Sequence, residues 1–118
     1  MSHGDFELRL LAEEDLPALG ELCRAGLRDA VSPEVLRRLL LDEPGLRPEL
    51  QLGLWREGRL AGAALGSLRA TPDGLAGGPR LLVVAPELRG RGLGTRLMDE
   101  LEARLVEAGA TELRGGRL

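Results

Sequence analysis

The clearest periodicity lies near the end of the chain, where Leu93, Leu97, Leu101 and Leu105 recur every four residues and Met98 and Ala108 widen the stripe. That spacing predicts an amphipathic helix over residues 92–108, with Gly109 as its C-terminal stop. Leu16, Leu19, Leu22 or Cys23, and Leu27 form an earlier stripe, preceded by Glu13, Glu14 and Asp15 and opened by Pro17. Acidic residues and a proline suit the first turn of a helix. Between them, Ser32 is a candidate N-cap and Pro33 a first-turn residue. Val35, Leu36, Leu39 and Leu40 supply the apolar face of that helix, and Pro44, Gly45 and Pro48 end it.

Elsewhere the period is two. Leu50, Leu52 and Leu54 alternate with Glu49, Gln51 and Gly53, the pattern of a half-buried strand. Glu57-Gly58 then turns the chain into a Gly- and Ala-rich strand over residues 60–68, so residues 49–69 read as a hairpin. Gly62 and Gly66 on its second arm admit three explanations: a close ligand, a bulge, or dense packing. A polar loop is expected over residues 70–78. Residues 80–85, with Val83-Val84 at their centre and Pro79 and Pro86 at their ends, are too short for a helix and read as a central strand. Strands at 6–11 and 111–114 complete the set, the last weakened by Gly115-Gly116. In chain order the elements are β1 (6–11), α1 (13–27), α2 (32–40), β2 (50–54), β3 (60–68), β4 (80–85), α3 (92–108) and β5 (111–114).

Length and charge narrow what such a chain does. At 118 residues, 43% hydrophobic and 30% charged, it is a single globular domain rather than a disordered segment. The net charge is -3, and no basic run exceeds Arg37-Arg38, which excludes a nucleic-acid footprint. The single Cys23 forms no internal disulfide, and no apolar segment resembles a signal peptide or a membrane span. A cytoplasmic location is expected. All sixteen basic residues are Arg, Tyr and Lys are absent, and His3 is the only histidine. Chemistry that needs Lys or Tyr is therefore closed to these residues. Cys23 lies on or beside the α1 stripe with no histidine to activate it, so it reads as core.

The candidate chemistry is concentrated in Leu81-Leu82-Val83-Val84-Ala85-Pro86-Glu87-Leu88-Arg89-Gly90-Arg91-Gly92-Leu93-Gly94-Thr95: a strand, a short loop and the start of a helix. A helix N-terminus offers amides without internal partners and about half a positive charge, so it binds phosphate. Gly90, Gly92 and Gly94 are able to take positive φ and let phosphate oxygens reach those amides. Arg89 and Arg91 add charge, and Thr95 adds a hydroxyl. A Walker A loop is excluded, because it requires lysine. A dinucleotide fingerprint fits poorly, because Thr95 stands where Gly or Ala belongs and residues 86–89 separate strand from glycines.

Val84-x-Pro86-x-x-Arg89-Gly90-x-Gly92-Leu93-Gly94-x-x-Leu97-Met98 resembles the acetyl-CoA motif of the GNAT acetyltransferase superfamily, whose pattern is Gln or Arg, two residues, Gly, one residue, then Gly or Ala. The resemblance extends over the hairpin at 56–62, the helix ending at Glu107-Ala108-Gly109-Ala110, and the opening strand and helix, about residues 6–114 in all. It implies an α/β fold with a mixed sheet in the order β1-α1-α2-β2-β3-β4-α3-β5, and an acetyl-CoA-dependent N-acetyltransferase acting on a primary amine, without a metal. By position, backbone groups of Leu82, Val83 and Val84 beside a bulge would bond the pantetheine arm and polarise the thioester. Arg89, Gly90, Arg91, Gly92, Leu93, Gly94 and Thr95 would wrap the pyrophosphate, mainly through the amides of Arg91, Gly92, Gly94 and Thr95. Glu87 would face solvent or cap the loop.

The family's usual acid, a tyrosine after the fifth strand, has no counterpart here. Its occasional glutamate early on the fourth strand is likewise missing, since residues 77–80 read Gly-Gly-Pro-Arg. Family domains continue through a further helix and two strands. The chain is therefore expected to be truncated after β5, either the first half of a tandem protein or a unit covered by a partner such as a second copy. A non-catalytic acyl-CoA-binding or dimerisation module of the same fold is the alternative. Acceptor specificity would be shaped by about residues 26–32, and is not legible.

Overall fold

The computed structural model describes residues 6–29, 31–43 and 46–114. Its elements are β1 (Glu7–Leu10), α1 (Leu16–Gly26), α2 (Pro33–Arg37), β2 (Gln51–Arg56), β3 (Arg59–Thr71), β4 (Gly74–Val84), α3 (Leu93–Glu107) and β5 (Glu112–Leu113). Short 3-10 turns precede α1, β2 and α3. The five strands form one sheet in sequence order, antiparallel from β1 to β4, with β5 parallel to β4 after the α3 crossover.

Local chemistry fixes the helix ends. The Asp15 carboxylate accepts the Ala12 amide at 2.8 Å just before α1. The Ser32 hydroxyl accepts the Val35 amide at 3.2 Å, the expected N-cap of α2. Beyond Arg37 the helix widens into a π turn over Arg38–Asp42, which swings the following Glu43 toward the sheet.

Both faces of the sheet are covered. α3 lays Leu93, Leu97, Leu101 and Leu105 on one face, against Leu50, Leu52, Leu54 and Ala64. α1, α2 and the π turn after it lay Leu19, Leu22, Cys23, Leu36 and Leu40 on the other, against Trp55, Ala63, Leu65 and Val83. The four-residue leucine spacing thus marks a helix resting on a sheet, with each leucine at most 1% exposed.

Gly62 and Gly66 are explained by packing. A Cβ on Gly62 would lie 3.0 Å from Leu97 Cδ1, and one on Gly66 only 2.5 Å from Leu101 Cδ1. The missing side chains are sockets for α3.

The polar loop expected over residues 70–78 does not exist. β3 and β4 are long antiparallel arms that stay paired through Leu68↔Gly77, Arg69↔Ala76, Ala70↔Leu75 and Thr71↔Gly74, closed by a turn at Pro72-Asp73. A ladder set in register at the core runs outward at little cost, and turn-forming residues mark only its tip. Pro79 sits inside β4 because the register slips there: Gly66 faces Pro79 and Leu65 faces Leu81, leaving Arg80 as the extra residue of a bulge.

Candidate functional site

β4 is only half paired on its outer side. β5 meets it at Ala76↔Glu112 and Gly77↔Leu113, and the Arg114 amide donates to the Gly77 carbonyl at 2.8 Å. From Gly78 to Val84 no strand among the described residues lies along that edge. Facing it is the N-terminus of α3, and between the two runs a cleft of about 460 Å³.

One wall is Leu82, Val83 and Val84 with Gly26 from the end of α1; the other is Leu88, Arg89, Gly90 and Gly92 through Thr95. Nine of the ten residues assigned to a cofactor from sequence therefore line a single cleft, and the tenth, Arg91, is exposed on the same loop without lining it. Alternation along β4 gives the three strand residues different tasks. Val83 is buried against α1, Val84 packs toward α3, and Leu82 is left 39% exposed.

The loop brings glycine backbone to the start of α3. Gly90 and Gly92 have φ of +84° and +80°, a conformation that favours glycine, and Gly92 caps α3 without a side-chain acceptor for the first amides. The Gly92 carbonyl accepts the Arg96 amide at 3.0 Å, so the helix starts in regular form and aims its free N–H groups at the cleft. Leu93 contributes only backbone, since its side chain is 1% exposed in the core.

Two expectations about this loop need correction. Gly94 does not take positive φ; it sits inside the first helical turn. Its missing Cβ would meet only Val84 Cγ2 at 3.8 Å, so the protein leaves open the space a side chain would fill. Arg89 does not point its guanidinium freely at the cleft: Nη2 donates a short hydrogen bond to the Gly26 carbonyl, one of the last in α1. It ties the loop to α1 as well as charging it. Glu87 is exposed, as expected.

Sequence reasoning missed Gly26 as part of this wall. A Cβ there would lie 2.7 Å from Val83 Cγ2 and 2.9 Å from the Val84 carbonyl oxygen, so only glycine lets α1 end against β4. A glycine closing an apolar helical stripe was the available signal. Also missed was an ion pair at the other end of the open edge, where Arg80 Nη2 stands 3.5 Å from Glu43 Oε1.

Other features are separate from the cleft. Cys23 is 1% exposed, and burial pushes its thiol pKa up, away from nucleophilic use. A larger shallow groove of about 770 Å³ lies on the far side of α3, with Val106 and Leu113 among its lining. It has no glycine loop or helix N-terminus, and Arg104 pairs there with Glu100 at 2.9 Å. No helix among the described residues is long and apolar enough to cross a membrane.

A strand with an open edge, a glycine-rich loop and the start of a buried helix around one cleft define an acyltransferase-type α/β domain, and comparison with known proteins agrees. Residues 16–114 match the Acetyltransferase (GNAT) family. An acetyltransferase of Photorhabdus laumondii subsp. laumondii is 30% identical over 112 residues, covering 92% of this chain and 72% of that protein. The chain belongs to the GNAT acetyltransferase family. Among solved structures, the ribosomal-protein-S18-alanine N-acetyltransferase of Escherichia coli superposes with a TM-score of 0.74 at 19% identity, over 92% of this chain and 64% of that one. Naa50 of Arabidopsis thaliana, solved with a bisubstrate analogue of CoA, gives 0.71 at 14%, over 92% and 68%. These two likenesses are of fold. The chain spans about two thirds of the length of each.

Proposed function

We propose that this chain is an acetyl-CoA-dependent N-acetyltransferase, with the cleft between β4 and α3 as its acyl-CoA site and a primary amine as its acceptor. The observation that carries the reading is the juxtaposition of an unpaired strand edge, Leu82 to Val84, with the amides of Gly92, Leu93, Gly94 and Thr95 across a cleft of about 460 Å³. The two walls match two parts of one ligand: helix amides suit a pyrophosphate, and a free strand edge beside an exposed leucine suits an amide-bearing, partly apolar arm.

The fit rests on this chain's own features. The open space at Gly94 lets an anion approach the helix start, and the uncovered Leu82 gives the arm an apolar floor. Acetyl-CoA would supply the activated acetyl group. Backbone N–H groups of Leu82 to Val84 would orient the arm and polarise its thioester carbonyl, while Arg89 holds the loop against α1.

Isothermal titration with acetyl-CoA tests the reading, followed by thiol release over a panel of amines. Binding with dissociation constants in the micromolar range is expected; no binding at millimolar acetyl-CoA would sink it. Binding without turnover on any amine would favour the second reading, an acyl-CoA-holding module, whose supporting observation is a sequence with neither Tyr nor Lys.

A further inference from the structure

Gln51 is the one buried polar side chain among the described residues, 1% exposed, and it lies outside the lining of the cleft. A buried carboxamide is costly unless its groups are bonded. Nε2 donates to the Gly66 carbonyl at 2.9 Å and to the Arg47 carbonyl at 3.0 Å. The carboxamide oxygen meets no donor among the described residues, so the group is held for what it donates.

At Gly66 the ladders on both sides of β3 are interrupted. On one side the pairing with β2 stops at Gln51↔Leu65, because the preceding residues form a 3-10 turn in which the Leu50 amide goes to the Arg47 carbonyl. On the other, the register with β4 slips between Leu65 and Gly66, which puts Arg80 in the bulge. A bulge bends its strand and leaves ladder groups without partners. The Gln51 amide fills the vacant rung at Gly66. The bend divides β4 by task. Before it, Ala76 and Gly77 are held by β5; after it, Leu82 to Val84 run with a free outer edge and form a wall of the cleft.

We infer that Gln51 is a positioning residue for the cleft: by bonding the Gly66 carbonyl it fixes the bend that turns the Leu82 to Val84 edge toward the ligand. The inference rests on the acyl-CoA reading above. Gln51 exchanges no proton and touches no substrate. It acts through Gly66 and the bulge, on the strand edge that would hold the arm and not on the loop that would hold the pyrophosphate. Its influence is therefore on one part of the ligand only, which separates it from a residue that merely stabilises the fold.

The sequence supplies the probe. Gln51 is the only glutamine and the chain has no asparagine, so its side chain gives the sole carboxamide pair in a nitrogen–proton NMR spectrum. Saturating CoA is expected to shift that pair, whereas 3′-phospho-ADP, which keeps the pyrophosphate and lacks the arm, should leave it in place. In titration calorimetry CoA should bind the wild type more tightly than this fragment. Gln51→Met, close in volume but without a donor, should lower that excess by about tenfold, the scale of one hydrogen bond, with affinity for the fragment unchanged. An unmoved pair at CoA saturation, an equal shift with the fragment, or no excess in the wild type overturns the inference. So does an undiminished excess in Gln51→Met, or an equal loss for both ligands. If Gln51→Met does not fold, the resonance decides alone. Failure of the wild type to bind CoA removes the acyl-CoA reading itself, and this one with it.

Discussion

Replacing Gly94 by Ala separates what the helix wants from what the cleft wants. Gly94 lies in the first turn of α3 without positive φ, and an added Cβ would sit 3.8 Å from Val84 Cγ2, ordinary van der Waals contact. Alanine in helical backbone is favoured over glycine by up to about 1 kcal/mol, less in a first turn, so a gain of about 0.5 kcal/mol is expected. With an unfolding entropy near 2.1 cal/mol/K per residue, that raises Tm by roughly 2 °C for a chain of this size. The same methyl group projects where an anion would approach the amides of Gly94 and Thr95. Losing one hydrogen bond to a charged group is worth about 1.5–3 kcal/mol, or between roughly tenfold and a hundredfold in affinity. Calorimetric melting and titration with acetyl-CoA on the same samples read both quantities. Unchanged affinity would refute the placement of the anion. A fall in both would refute the claim that the backbone at Gly94 makes no demand for glycine.

Gly26→Ala should act in the opposite sense: its Cβ would press on Val83 Cγ2 at 2.7 Å and the Val84 carbonyl at 2.9 Å. Overpacking of that kind costs about 1–3 kcal/mol, seen as a lower urea midpoint, and an unshifted midpoint would contradict the contact. Cys23 should resist Ellman's reagent in the folded protein near pH 7, because burial raises its thiol pKa and leaves little thiolate, and should react fully in urea. Reaction of the folded protein within seconds would contradict its place in the core.

What was legible in the sequence was what depends on near neighbours. The leucines of α3, the Ser32 cap and the Glu57-Gly58 turn are local patterns, and each lies where it was expected. The loop motif predicted a cleft that the fold assembles. The extension of β3 and β4 through residues 69–78 was not legible, since Gly, Pro, Asp and Thr there suggest a loop. Pairing across the sheet overrides that local preference, and the bulge at Arg80 absorbs Pro79. The tie from Arg89 to Gly26 joins positions 63 apart in sequence. Glu43 meets Arg80 only because a π turn and a bulge aim them together. No periodicity records such meetings.

The sockets at Gly62 and Gly66 have a reach beyond the core they fill. α3 carries one wall of the cleft on its first turn, and its height above the sheet is set where Leu97 and Leu101 drop into those two vacancies on β3. Neither glycine touches the cleft, yet a methyl group at either would act as a shim beneath the helix and part its N-terminus from Val84. The gauge of the cleft is therefore held by a strand outside it, and substitutions there should tune how wide a ligand it accepts while leaving every lining residue intact.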